Sequence, residues 1–402
     1  MKIVYCFSLG MKLFAKILPI KKKRVLFTSF NGHYSDSPKC ISQKMHELAP
    51  HLEQVWLVKK QHINNLPSYV KGIDIDASAK AFWYRATAHI VVDNVYGNKE
   101  ANLTSGTKEK LRFFLLTFLN KKRGQHIFTT WHGTPLKKMG RDQIGLNILD
   151  FSCPQTTMIL GNRFTLDIMK HLTFDKINME LLGTPRNDLL FCDEGYKKRI
   201  KEALGLPLDK KIILFAPTFR SDDSGTMNTN ILRSGINQLN EIDFPVLFKA
   251  LSKAFGGEWA MICRFHYHVE AKVDWQSLQK DCPDIINGNI NDNMAEYLAC
   301  ADVLLTDASS AMFDFALSKK PCFLFFPDLD YYENKERGFY MPVSELPFKV
   351  AKDFSNLINC ISEFNNEEYI EQIDMLLDKI GCIDDEKSSA RVSKYIIEKG
   401  FA

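Results

Sequence analysis

The sequence predicts an α/β protein made of two doubly wound domains, and three observations carry that prediction. Short apolar runs recur along the chain and alternate with stretches of helical character. The runs are continuously apolar rather than alternating, as expected of parallel strands covered on both faces. At 402 residues the chain is long for one core and suits two domains of the usual ~100–200 residues.

The candidate strands fall in two groups. The first holds "RVLFTSF" (24–30), "QVWLVKK" (54–60), "HIVVDN" (89–94), "HIFTTW" (126–131) and "TMILGN" (157–162). The second holds "KIILFAPTF" (211–219), "WAMICRFH" (259–266), "DVLLTD" (302–307) and "CFLFFPD" (322–328). Between the groups, in "EALGLPLDKK" (202–211), Gly205 and Pro207 end a helical stretch before a new strand begins. The expected division is therefore residues 1–23 as a basic amphipathic segment, 24–203 as the first α/β domain and 204–402 as the second.

Composition narrows the class. Hydrophobic residues at 45% and charged residues at 25% are ordinary globular usage, and a net charge of +4 gives little support to nucleic-acid binding. The ten cysteines are scattered singly, without a CxxC pair or zinc spacing, which suits buried thiols in a reducing compartment. In residues 1–23, Lys12 and Lys16 interrupt an apolar run too short to span a bilayer. Wound as a helix, Ile3, Phe7, Met11 and Phe14 share one side, with Lys21, Lys22 and Lys23 following. The stretch "KEKLRFFLLTFLNKKR" (108–123) repeats the pattern of an apolar centre between basic ends. Two such segments point to peripheral attachment at an anionic membrane face, the plain alternative being buried helices with solvated ends.

The unusual polar residues follow predicted strands. His132 follows "HIFTTW", with Gly133 beside it; Arg220 follows "ILFAPTF"; Arg264 and His266 end "AMICRFH"; Thr306, Asp307, Ser309 and Ser310 close "DVLLTDASS". Two facing α/β domains would place all of these on a central cleft at the carboxyl ends of their strands. The turn before the helix near Ser310 offers free N–H groups and two hydroxyls to a phosphate, or else a serine simply caps that helix. Arginines and a histidine supply donors suited to a pyrophosphate. No GxxxxGK[ST], GxGxxG or GxSxG stretch is present, which disfavours kinase, dinucleotide and serine-hydrolase readings.

The stretches "WHGTPLK", "LGTPRNDLL", "FAPTFR", "RFHYH", "VLLTDASSAMFDFA" and "ERGFY", in this order across most of residues 24–342, resemble the CDP-glycerol glycerophosphotransferase family of teichoic-acid and related capsule synthesis. The resemblance implies a GT-B-like pair of Rossmann-like domains, the first binding the acceptor and the second a CDP-polyol. It also implies a lipid-linked glycan acceptor at the cytoplasmic face of the membrane and no metal or other cofactor. Carried over by position, His132 corresponds to the family's proposed base. His266, Arg220, Thr306, Ser309 and Ser310 correspond to donor-phosphate and nucleotide contacts. The family often has an aromatic residue where Ala308 stands, and a proline after the second histidine where this chain has Tyr267.

The chemistry this implies is direct. An acceptor hydroxyl loses its proton while attacking the β-phosphorus of a CDP-polyol, most simply CDP-glycerol, and CMP leaves. A neutral imidazole at His132 suits the proton, with His266 as its catalytic companion. Arg220, Arg264, His266, Asp307 and the Ser309/Ser310 turn suit the phosphates, and Lys137 or Lys138 the acceptor. Asp314 is placed to reach a ribose hydroxyl or simply compensates a helix dipole. In "GTPRND", Arg186 is a substrate-binding candidate, and Arg186 or Asp188 an organiser of the inter-domain region; a turn opening a helix is the plain alternative. Ribitol phosphate transfer, a GT-B glycosyltransferase using a nucleotide sugar and a non-catalytic assembly protein stay open as alternatives.

Overall fold

A computed structural model describes residues 14–15, 17–94, 124–142, 156–173, 177–218, 234–265, 270, 273–291, 293–333 and 338–401. Arg220, His266, the 108–123 segment and most of residues 1–23 lie outside the described residues.

The chain divides into two compact units. One comprises Met1–His132, Leu149–Asp188 and Ile383–Ala402; the other comprises Gly133–Ile148 and Leu189–Cys382.

The first unit carries a seven-stranded parallel sheet: β1 (Lys21–Thr28), β2 (Glu53–Val58), β3 (Val70–Asp74), β4 (Ala88–Asp93), β5 (His126–Thr129), β6 (Thr156–Leu160) and β7 (Asn178–Leu181). Its order is β3-β2-β1-β4-β5-β6-β7. The order reverses direction between β1 and β4, a doubly wound pattern with its switch point at those two strands. Successive residues of β1 explain the continuous apolar run. Val25 and Phe27 pack with Ile41 and Met45 of the helix Asp36–Leu48 and with Val392 and Ile396 of the helix Ser388–Phe401. Leu26 points the other way, to Ala81 on the helix Ser78–Thr87. A strand buried on both faces has no polar face to show in its sequence.

The second unit repeats the plan with six parallel strands: β8 (Lys211–Ala216), β9 (Trp259–Cys263), β10 (Ile285–Asn287), β11 (Val303–Thr306), β12 (Cys322–Phe325) and β13 (Lys349–Ala351). The order β10-β9-β8-β11-β12-β13 places its switch point between β8 and β11. One face joins Ile213, Phe215, Met261, Leu305 and Phe325 to Leu247, Leu251, Leu357 and Ile361 of the flanking helices.

All nine apolar runs form strands, each beginning or ending within three residues of its expected limits. Among the described residues, Cys192, Cys263, Cys282, Cys300, Cys322 and Cys360 are free thiols. Among the described residues no helix is long and apolar enough to cross a membrane. Lys21, Lys22 and Lys23 open β1 with exposed side chains.

Candidate active site

The first unit gathers a group around His132. β5 ends at Thr129, and the chain bends through Thr130 and Trp131 to reach it. Trp131 has a φ of +53°, a left-handed conformation that costs a bulky residue on the order of 1–3 kcal/mol and persists only where its surroundings enforce it. Asp36 has a φ of +62° as well. Trp131 touches the His132 ring directly, and Asp36 is linked to His132 through Arg186.

The ring itself is held on three sides. Phe30, in the short turn after β1, meets it edge-on at 5.5 Å between centroids, and Trp131 lies tilted against it at 4.0 Å. Nδ1 lies 3.2 Å from the main-chain oxygen of Asn94, which directly follows β4. A carbonyl only accepts, so Nδ1 carries the proton and donates; the lone pair of the neutral ring then resides on Nε2. Burial pushes the His132 pKa down from 6.5 to about 4, opposed by the Asn94 bond and the Asp36 charge and assisted by Arg186. The residue retains partial solvent access. A largely buried, neutral imidazole with a free Nε2 and some solvent access is equipped to accept a proton from a ligand.

The next shell is ionic. Arg186 Nη1 donates to Asp36 Oδ2 at 2.8 Å, and Arg186 Nη2 donates to the main-chain oxygen of His132 at 3.1 Å. The guanidinium of Arg186, a substrate-binding candidate in the sequence, is thus engaged by two protein acceptors. Asp93 ends β4, buried; burial raises its pKa to about 6 against the lowering effects of Arg85 and Thr129.

The segment after His132 is extended. Gly133 takes a φ of +134°, and Tyr340 N donates to Leu136 O at 2.8 Å. Lys138 N donates to Gly338 O at 3.2 Å, while Tyr340 Oη donates to Asp142 Oδ2 at 2.7 Å. The described parts of two stretches distant in sequence, "WHGTPLK" and "ERGFY", thus pair side by side within the second unit. Lys137 Nζ stands 6.0 Å from the centroid of the Tyr332 ring.

The remaining candidates lie at strand ends of the second unit. Thr306 Oγ1 donates to Ala216 O at 2.6 Å, and buried Asp307 Oδ1 accepts from Thr218 N at 2.7 Å. These bonds tie the ends of β11 and β8 together across the switch point. Arg264 follows β9; its Nη1 donates to the carbonyls of Gly288 and Asn291 at 2.7 and 2.5 Å, and its guanidinium lies over Tyr297. Thr306, Asp307 and Arg264 thus each bond to neighbouring backbone at these strand ends. Ser309 Oγ accepts from Ala311 N at 3.3 Å, whereas Ser310 precedes the helix Ala311–Ala316 without a side-chain capping bond. Asp314 is buried within the first turn of that helix. Ala308 is fully buried in a cluster with Phe326 and Tyr332.

Asp36, Asn94, Phe30 and Trp131 escaped the sequence reading. Asp36 stands 150 residues from its partner Arg186, and Asn94 acts through its backbone oxygen, which no residue type advertises.

Comparison with known proteins gives this geometry its relatives. The family model for CDP-Glycerol:Poly(glycerophosphate) glycerophosphotransferase matches residues 11–398. A teichoic acid glycerol-phosphate transferase of Staphylococcus aureus is 31% identical over 96% of this chain and 95% of its own. A teichoic acid poly(glycerol phosphate) polymerase of Staphylococcus epidermidis is 29% identical over 94% of this chain, which spans only 51% of that relative's length. The wall teichoic acid polymerase TagF, as a histidine-to-alanine variant, superposes with a TM-score of 0.77 at 26% identity, covering 99% of this chain and 95% of that one. A histidine variant of it, soaked with CDPG, gives 0.75 at 25% identity over 98% and 93% of the two chains. The two parallel sheets are thereby those of a GT-B-like fold. With a family match across nearly its whole length, the chain belongs to the CDP-Glycerol:Poly(glycerophosphate) glycerophosphotransferase family.

Proposed function

We propose that this protein transfers glycerol phosphate from CDP-glycerol to a hydroxyl of a lipid-linked glycan or a growing teichoic acid chain, releasing CMP. The observation that carries the proposal is the state of His132: a neutral ring with Nδ1 committed to Asn94 and Nε2 free. In the reaction the acceptor oxygen bonds to the β-phosphorus as its proton passes to Nε2. The bond from that phosphorus to the oxygen bridging to the α-phosphate breaks, and CMP departs with the electron pair. His132 then returns its proton to solvent.

Donor contacts are assigned to Ser309 and Ser310, with Arg220 and His266 added from sequence. Thr306, Asp307 and Arg264 shape the strand ends that present them. Lys137, on the paired segment after Gly133, is assigned to acceptor phosphate, and Asp314 to support of the donor loop. Glycerol rather than ribitol is favoured by the glycerol-phosphate names of the S. aureus and S. epidermidis relatives.

The membrane face is assigned to the start of the described chain. Phe14 and Ile17 are 47% and 77% exposed, Trp83 is 42% exposed, and the exposed Lys21, Lys22 and Lys23 follow. Phe14 stacks on Phe82 of the helix Ser78–Thr87, so the apolar groups are fixed to the first unit. Apolar side chains beside exposed lysines suit the surface of an anionic bilayer.

Nucleotide release by the purified protein, CMP from CDP-glycerol or CDP-ribitol and UDP from a UDP-sugar, each with a lipid-linked disaccharide, tests the reading. Acceptor-dependent release with CDP-glycerol is expected. Release of UDP alone would move the protein to glycosyl transfer.

A further inference from the structure

Arg186, a substrate-binding candidate in the sequence, has its side chain enclosed by the protein. Its side chain is 8% exposed and that of Asp36 12%, and the two meet at 2.8 Å. A phosphate reaching this guanidinium would have to displace a buried carboxylate. The other arm of the fork points to the His132 carbonyl at 3.1 Å. One side chain therefore joins Asp36, at the start of a helix, to the backbone of the histidine.

The mount behind Arg186 is rigid. It lies in the 3-10 segment Pro185–Phe191. Asp384 accepts from Thr184 N at 2.6 Å and from Asn187 Nδ2 at 2.7 Å, so the residues on both sides of Arg186 are bound to one carboxylate. Asp188 Oδ2 accepts from Ser389 N at 2.9 Å and from the Ser389 hydroxyl. Two of the three described non-glycine residues with left-handed backbone, Asp36 and Trp131, lie at the far end of this chain of contacts: one pairs with Arg186, and the other precedes the residue whose carbonyl Arg186 holds.

We infer that the buried Asp36–Arg186 ion pair is a positioning device for His132, fixing its backbone and placing two opposite charges beside its ring. The inference rests on the reading of His132 as the base. The fixed charges act on the ring in opposite directions: Asp36 favours its protonated form and Arg186 disfavours it. Asp93, one residue before Asn94 and buried, is a further titratable group at this strand end. The pair does not touch substrate in this scheme. It holds Nδ1 on the Asn94 carbonyl and keeps Nε2 available.

The test is a titration of His132 in the full-length protein, followed by NMR of ¹⁵N-labelled histidine, with CMP release from CDP-glycerol measured alongside. Wild type is compared with Asp36→Asn, Arg186→Gln and the double variant. Asp36→Asn should move the His132 midpoint to lower pH and Arg186→Gln to higher pH, each by on the order of one unit. Each single variant should lower kcat by roughly tenfold while leaving the donor KM within about twofold, as expected for a displaced base. The double variant should titrate close to wild type. Shifts of the same sign in both single variants, or no shift in folded protein, would overturn the inference. If Arg186→Gln does not fold, the double variant must titrate above Asp36→Asn, and coincidence of the two would overturn it. Opposite shifts with unchanged turnover would support the hold on the ring while removing His132 from the role of base.

Discussion

His132 has one nitrogen bound and one free, and its protonation sets the pH behaviour of the reaction. Because its pKa in the folded protein lies below the ordinary value, the ring remains neutral and able to accept a proton well into acid. On the histidine's account alone, kcat/KM should hold steady as pH falls through 6.5 and drop with a midpoint near about 4, where the free protein takes up the proton. A pH–rate profile under subsaturating donor checks this, and an acid limb centred at 6.5 would mean that the ring is not in the environment described. A second residue-scale prediction concerns Gly183, which opens the segment leading to Arg186. It has a φ of +97°, and an added Cβ would lie 2.7 Å from the Ser388 Cβ. Gly183→Ala should destabilise the first unit by about 1–3 kcal/mol through this overlap and the backbone strain, read as a lowered urea midpoint. The sequence marked His132 by its place after an apolar run. It gave no sign of Asp36 or of the Asn94 carbonyl, because their contacts are made across long stretches of chain and, for Asn94, by backbone.

The elements show which strands a sequence reveals. The nine apolar runs became strands with neighbours on both sides. Four strands passed unnoticed: Val70–Asp74, Asn178–Leu181, Ile285–Asn287 and Lys349–Ala351, and these are the four edges of the two sheets. An edge strand is short, pairs on one side and carries partly exposed side chains, so "VKGID" or "NMEL" reads as loop. The return of the C-terminal helix to the first unit was equally silent. Its amphipathic pattern states that it packs, not on what. There, Ile396 is fully buried with Phe27 and Val92. Ile396→Ala should therefore cost the first unit about 2–5 kcal/mol. Hydrogen exchange would show the loss in peptides of β1 and β4, with β8 and β11 retaining their protection. Equal loss in both sheets would contradict the assignment of this helix to the first unit.

For the whole molecule, fold class was legible because it depends on a pattern repeated nine times, whereas the site depends on single contacts. Charge placement likewise exceeded net charge in information. A total of +4 says little, but Lys21, Lys22 and Lys23 stand together beside exposed Phe14 and Ile17. Replacing the three lysines by glutamine should weaken binding to phosphatidylglycerol-containing vesicles by roughly 100-fold, at about 1 kcal/mol per basic residue. Vesicle co-sedimentation at low and high salt measures this, and salt-insensitive binding that ignores the substitution would remove the lysines from the membrane face.

The central claim is that a glycerol phosphate transfer runs on the free nitrogen of His132. Its most direct test is His132→Ala compared with wild type, measuring acceptor-dependent CMP release from CDP-glycerol together with CDP-glycerol affinity by calorimetry. The account predicts turnover lowered by about 100-fold or more with donor affinity little changed. Turnover preserved in the variant, or turnover lost only in proportion to donor binding, would contradict it.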